Sequence, residues 1–218
     1  MQRCAAARPR SPRIAGMNEA LRVLVLSGEG ILPYLDDVAR LRIAVFEDFP
    51  YLYAGDADYE ARYLARYARA PHSLFVLAFD GERVIGASTG IPLADEEEAF
   101  RTPFRDAGID PERVFYFGES VLLHEYRGRG LGHRFFDERE GYARSLGRFD
   151  WTAFCSVDRA PDDPRRPPGH RDNDAFWRKR GYGKRPGMQA TLRWAEHGEM
   201  EETPKTLTFW LRRLEDAA

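Results

Sequence analysis

Lysine is scarce in this 218-residue sequence: Lys179, Lys184 and Lys205 are the only lysines among 33 basic residues, and arginine supplies the rest. No lysine precedes Lys179, which excludes a Gly-Lys-Ser/Thr phosphate loop. The arginine bias also discounts any single arginine cluster as a sign of function. Cysteine is scarcer still. Cys4 lies near the start and Cys155 in an apolar run, so neither a disulfide framework nor a thiolate metal site is expected, and a reducing cytoplasm fits this usage. No apolar run approaches the roughly 18 residues that would span a bilayer. His72, His133 and His197 have no metal-ligand spacing to one another or to acidic residues, so no metal is expected. A formal net charge of -2 gives no overall pull towards nucleic acid or a membrane surface.

What is present can bury a sizeable core: 43% of the residues are hydrophobic, enough for one domain over residues 17–218. The opening "MQRCAAARPRSPRIAG" (1–16) lacks an apolar secretory core and is read as a disordered extension or a misplaced start ahead of Met17. Apolar and β-branched runs then alternate with helical periodicity. Strands are expected at 21–28, 72–93 (a hairpin turning at Asp80-Gly81), 113–123, 150–157, 188–194 and 205–214. Helices are expected at 31–49, 58–70, 131–146 and 172–180, with an acidic helix-like linker at 94–108. This order predicts an α/β fold with a mixed sheet and helices on its faces.

One junction concentrates the chemistry. The run "YRGRGLGH" (126–133) puts three glycines and two arginines between a strand and a helix. The first N–H groups of a helix are unpaired and carry partial positive charge, and glycines at 128, 130 and 132 let an anion approach without Cβ obstruction. Arg127 and Arg129 can add charge-assisted bonds. The plain alternative is a tight turn that needed glycines. A dinucleotide fingerprint fails, because His133 stands where its third glycine belongs. An RNA-binding use of "RGRG" fares no better, since the overall charge gives no electrostatic footprint and the arginine loops lack interleaved aromatics.

The spacing Arg127-x-x-Gly130-x-Gly132 resembles the pyrophosphate-binding motif of the GNAT family of N-acetyltransferases, and "FWRKRGY" (176–182) is similar to that family's last helix. The resemblance in element order runs from about residue 21 to 214. It implies a fold with splayed central strands (the family's fourth and fifth, here 113–123 and 150–157) and acetyl-coenzyme A (acetyl-CoA) as cosubstrate. The pyrophosphate would lie on the backbone of Arg127, Gly128, Arg129, Gly130, Leu131 and Gly132. The pantetheine arm would pair with the main chain of Leu122, Leu123 and His124, with His124 standing where the family often has proline. Acetyl transfer to a primary amine needs a base, since an amine with a pKa of about 10.4 is almost wholly protonated at neutral pH. Glu119 is the candidate, because many members use a glutamate on this strand. Strand alternation is expected to put it on one face with Phe115 and Phe117, in an apolar setting; the competing reading is a solvated or arginine-paired carboxylate. Many members carry a tyrosine as general acid where this chain has Trp177, which leaves the acid unassigned, with Tyr116 and Tyr182 as weaker candidates and Trp177 as core packing or a wall of the cofactor channel.

The aromatics of "FEDFPYLYAGDADY" (46–59) are expected to wall an acceptor pocket, or else to roof the core or a contact with a second copy. The acceptor would be a small molecule or a peptide amine. The Arg-rich loop 158–172 reads as solvated, Cys155 as a small core residue, and Tyr59, Tyr63 and Tyr67, four residues apart, as a core stripe. A non-catalytic acyl-CoA-binding or sensor module is the standing alternative.

Overall fold

The computed structural model describes residues 21–214; the expected extension at 1–16 lies outside them. Eight strands and five α-helices alternate: β1 (Arg22–Ser27), α1 (Leu35–Phe46), α2 (Ala57–Arg69), β2 (Leu74–Asp80), β3 (Arg83–Pro92), α3 (Glu98–Asp106), β4 (Val114–Tyr116), β5 (Ser120–Leu122), α4 (Leu131–Ser145), β6 (Trp151–Val157), α5 (Asp174–Lys179), β7 (Gly183–Trp194) and β8 (Thr203–Arg213). They form one mixed sheet in the order β1-β2-β3-β4-β6-β8-β7, with β5 also on β3. Every pairing is antiparallel except β4 with β6. Among the described residues no helix is long and apolar enough to cross a membrane.

The sheet is buried on both faces. One cluster joins Val38, Leu41 and Leu64 of α1 and α2 to Leu77, Ile91 and Tyr116; the other joins Phe135 and Phe136 of α4 to Val76, Phe117, Phe154 and Trp210. Each such side chain contributes about 1.5–3 kcal/mol on burial. Helix α2 starts where the Asp56 carboxylate accepts from the Tyr59 N–H, with acids in its first turn and arginines in its last, as the helix dipole favours. The acidic linker forms α3, which buries Phe100 and Phe104.

The expected strand 113–123 is two strands, because a bulge interrupts it. The single residue Thr89 faces both Gly118 and Glu119: its C=O accepts from the Gly118 N–H and its N–H donates to the Glu119 C=O. Ile91 pairs with Tyr116 but Ser88 pairs with Ser120, so the register slips by one residue. A one-residue slip turns every later side chain to the other face. Beyond the Phe117 N–H to Ala153 C=O bond at 2.7 Å, β5 pairs only with β3 and β6 only with β8, so the two strands part.

Candidate active site

The slip corrects one expectation. Phe115 and Phe117 do not share a face with Glu119; both rings pack on the α4 side, while Glu119 turns towards α1 and α2. Only glycine serves at the hinge of this bulge. A Cβ on Gly118 would stand 2.4 Å from Tyr67 Oη, 2.6 Å from Thr89 Oγ1 and 2.8 Å from Tyr63 Oη. From the opposite face, the buried Arg139 of α4 donates to the C=O of Thr89 at 3.3 Å and of Glu119 at 3.1 Å, clamping the bulge. Burial pulls Arg139 down to about 10, still charged at neutral pH.

The surroundings of Glu119 also differ from the expected apolar setting. Its Oε2 accepts from Tyr63 Oη at 2.7 Å and meets Arg42 Nη1 at 2.7 Å, while Oε1 is buried with no partner. Arg42 also bonds Glu60, whose own Oε1 is likewise buried and unpartnered. Burial raises the Glu60 carboxyl above its ordinary range, against the pull of Arg42. One helical turn on, Arg66 serves both Glu96 and Glu97, and Tyr67 Oη donates to Glu96, which burial raises as well.

These side chains, Tyr67 excepted, border a cavity of ≈ 340 Å³. Phe46, Tyr51, Tyr53 and Tyr59 from the aromatic segment wall it, and Leu192–Ala195 and Met200–Glu202 of the β7–β8 hairpin close its far side. Phe49 instead packs edge-on against His170, 4.8 Å between ring centres. Of the tyrosine stripe, Tyr67 is core, but Tyr59 and Tyr63 face the cavity. Periodicity places such residues on one helix face without telling a packed ring from a cavity wall. The loop 158–172 is partly structural: Arg159 ties Pro50 and Tyr51 to Glu196, and Arg165 reaches Glu196 too.

Tyr116 and Cys155 line the same cavity, 3.1 Å apart from Oη to Sγ. Burial pushes the Cys155 thiol up to about 12, so it stays protonated. Trp177 packs on Phe154 and Trp210 at 5.0 and 5.1 Å, within the α4-side cluster. Tyr182 is buried there too, bonded to Thr152 and Glu140. Neither lines the cavity, so of the three aromatic candidates Tyr116 alone stands there.

Leu122 ends β5, three residues and about 10 Å of strand from Glu119. Leu123 has spent both backbone groups, its N–H on Ile85 and its C=O on Tyr126, and the His124 C=O takes the Arg127 N–H. By strand alternation Leu122 therefore points its backbone away from β3, where Arg127 Nε meets its C=O at 3.2 Å. The loop beyond is open. Gly128 and Gly130 have φ of 77° and 84°, Gly130 caps α4, and a Cβ on either would meet nothing within 4 Å. Among the described residues the N–H groups of Gly128, Arg129 and Gly130 make no hydrogen bond. Leu131 begins α4 with its side chain buried, and Gly132 lies one residue inside, facing Phe176 across 3.8 Å. The Arg129 guanidinium folds back over Tyr126. Unpaired N–H groups at a helix start, free of side-chain obstruction, suit a diphosphate. Among the described residues no group of three or more His, Cys, Asp or Glu could hold a metal ion.

Comparison with known proteins agrees with this layout. Residues 38–161 match the model of the acetyltransferase (GNAT) family. No curated protein matches the sequence. Among solved structures, a GNAT-family acetyltransferase of Streptococcus pneumoniae superposes with a TM-score of 0.54 at 13% identity over 89% of this chain and 100% of its own. The yncA protein of Salmonella typhimurium, solved with its cofactor acetyl-CoA, gives 0.55 at 13% over 92% and 97%. A phosphinothricin acetyltransferase of Sinorhizobium meliloti in complex with acetyl-CoA gives 0.55 at 16% over 88% of each chain.

Proposed function

The chain belongs to the GNAT acetyltransferase family, and on that footing we propose that it acetylates a primary amine by direct attack on acetyl-CoA in a ternary complex. Acetyl-CoA is the cosubstrate. Its diphosphate lies on the backbone of Arg127 to Gly132, with the Arg127 and Arg129 side chains alongside, and its pantetheine arm follows the β5 edge from Leu122 to His124. The backbone of Leu122 is the part of that edge turned away from β3, with its C=O met by Arg127 Nε and its N–H left for the cofactor. That N–H polarises the thioester carbonyl.

The single observation that carries the amine reading is Glu119: a buried carboxylate, turned by the bulge into the cavity wall, with Oε1 unpartnered. It takes one proton from the ammonium, and the lone pair so freed then bonds the carbonyl carbon. As the C–S bond breaks, the nitrogen gives up its second proton to the departing sulfur, a tolerable leaving group with a pKa near 8.5, so the products are an amide, the coenzyme A thiol and a proton on Glu119 that passes to solvent. Of the acid candidates Tyr116 alone borders the cavity, and burial raises its hydroxyl well above the ordinary range, which makes it a poor proton source for the thiolate. Direct attack is favoured over an acyl-enzyme because Cys155, the thiol in the cavity, is held protonated by burial.

The test is thiol release from acetyl-CoA across a panel of amines, with wild type and Glu119→Gln side by side. Amine-dependent release that Glu119→Gln abolishes supports the proposal. Tight acetyl-CoA binding with no release for any amine turns the chain into the non-catalytic sensor.

A further inference from the structure

The acceptor cavity carries more negative charge than its arginines answer. Seven carboxylates and three arginines line it, and it has no lysine or histidine. Two of the arginines are each shared between carboxylates. Arg42 serves Glu60 and Glu119, and Arg66 serves Glu96 and Glu97. With all carboxyls ionised, each cluster keeps one uncompensated negative charge. Glu60, Glu96 and Glu119 are 0%, 4% and 6% exposed, so water shields them little. Burial raises Glu60 and Glu96, which favours their neutral forms, and a bound cation would offset that cost and favour the charged ones.

Two oxygens of the first cluster, Glu60 Oε1 and Glu119 Oε1, are buried acceptors with no donor. Leaving such atoms unpaired carries a desolvation cost, which a donor-rich ligand would recover. An ammonium group is all donors. The ring of Tyr63 stands between the clusters, with Arg42 Cζ 4.1 Å and Arg66 Cζ 5.4 Å from its centre. Tyr59 stacks against Tyr63 at 6.3 Å, and Tyr53 approaches Tyr59 edge-on. These aromatic walls suit an alkyl chain and attract a cation at their faces.

Resting on the reading of this cavity as the acceptor site, we infer that the acceptor is a diamine: one amino group enters at Glu60 and Glu119 to be acetylated, and a second, remaining charged, is held at Glu96 and Glu97. The methylene chain between them lies along Tyr59 and Tyr63. An acceptor with a carboxylate in place of the second amine meets like charge and is rejected.

The experiment compares α,ω-diaminoalkanes of graded length with n-alkylamines and ω-amino acids of the same lengths. It uses steady-state kcat/KM and, separately, calorimetric binding to the coenzyme A-loaded protein. A diamine of favoured length is expected to exceed the matching monoamine by about tenfold or more in both, with the ω-amino acid weakest. Glu96→Gln should reduce the diamine-to-monoamine ratio by about tenfold. Glu97→Gln, on an exposed side chain, should reduce it in the same direction and serves should Glu96→Gln fail to fold. A general structural effect would lower both amines together and leave the ratio unchanged, which would overturn the assignment of the second site. Equal turnover and equal binding of monoamines and diamines would overturn the inference while acetyl transfer stands. Preferential diamine binding without thiol release would uphold the diamine site and overturn acetyl transfer.

Discussion

Gly118→Ala probes the bulge directly. Gly118 does not sit at positive φ, so the backbone itself tolerates alanine, and the penalty comes from space alone. The added methyl meets Tyr67 Oη, Thr89 Oγ1 and Tyr63 Oη at 2.4, 2.6 and 2.8 Å. None of the three is an idle neighbour: Tyr67 and Tyr63 donate to Glu96 and Glu119, and Thr89 Oγ1 lies 3.3 Å from the Glu119 N–H. Relieving the clash therefore breaks buried hydrogen bonds, which puts the cost at the upper end of overpacking, about 3 kcal/mol. For a chain of this size that lowers Tm by about 6–12 °C. Turnover should collapse with the displaced Glu119, whereas acetyl-CoA affinity, which we assign to the glycine loop, should hold. Scanning calorimetry gives the first quantity and isothermal titration the second. In a Tyr67→Phe background, which removes the nearest clashing atom, Gly118→Ala should cost less. An unchanged Tm with normal turnover would refute the bulge as the device that sets Glu119.

Glu119→Gln keeps shape but removes basicity, so kcat should drop by roughly 10²-fold or more while calorimetric acetyl-CoA affinity stays level; near-normal turnover would assign the base elsewhere. The pair Gly130→Val, Gly132→Val imposes a β-branched residue at φ 84° and side chains in the cradle, and should abolish acetyl-CoA binding in a protein whose circular dichroism still reports the fold. Cys155→Ser should retain acetyl transfer, and mass spectrometry of wild type mixed with acetyl-CoA should find no acetylated thiol, because that thiol is held near 12.

The sheet, the hairpin at Asp80-Gly81 and the glycine loop were legible in the sequence because each rests on local chemistry: alternation, a turn dipeptide, and glycines ahead of a helix. The bulge was not. Nothing in "VFYFGESVLL" marks Gly118 as an inserted residue, because the partner that it and Glu119 share, Thr89, lies far away in sequence. Plain alternation therefore assigned Glu119 the wrong neighbours. Tyr63, Arg42 and Glu60 were missed for a related reason: they come from α1 and α2, and only tertiary packing brings them to Glu119. The signal within reach was Glu60, a carboxylate on the inward side of α2 between Tyr59 and Leu64, a place where burial demands a partner.

Helix α4 joins the two halves of the proposed site. Its first turn follows the glycine loop, and Arg139, two turns on, grips the carbonyls of Thr89 and Glu119. The spacing between the proposed cofactor seat and the proposed base is thereby written into a rigid rod of about 1.5 Å per residue. Much of the wall of the proposed acceptor cavity belongs to other parts, the α1–α2 segment and the β7–β8 hairpin. Substitutions there can redraw which molecule enters while the spacing of the glycine loop and Glu119 stays fixed, so this architecture lets acceptor preference evolve separately from the chemistry we propose.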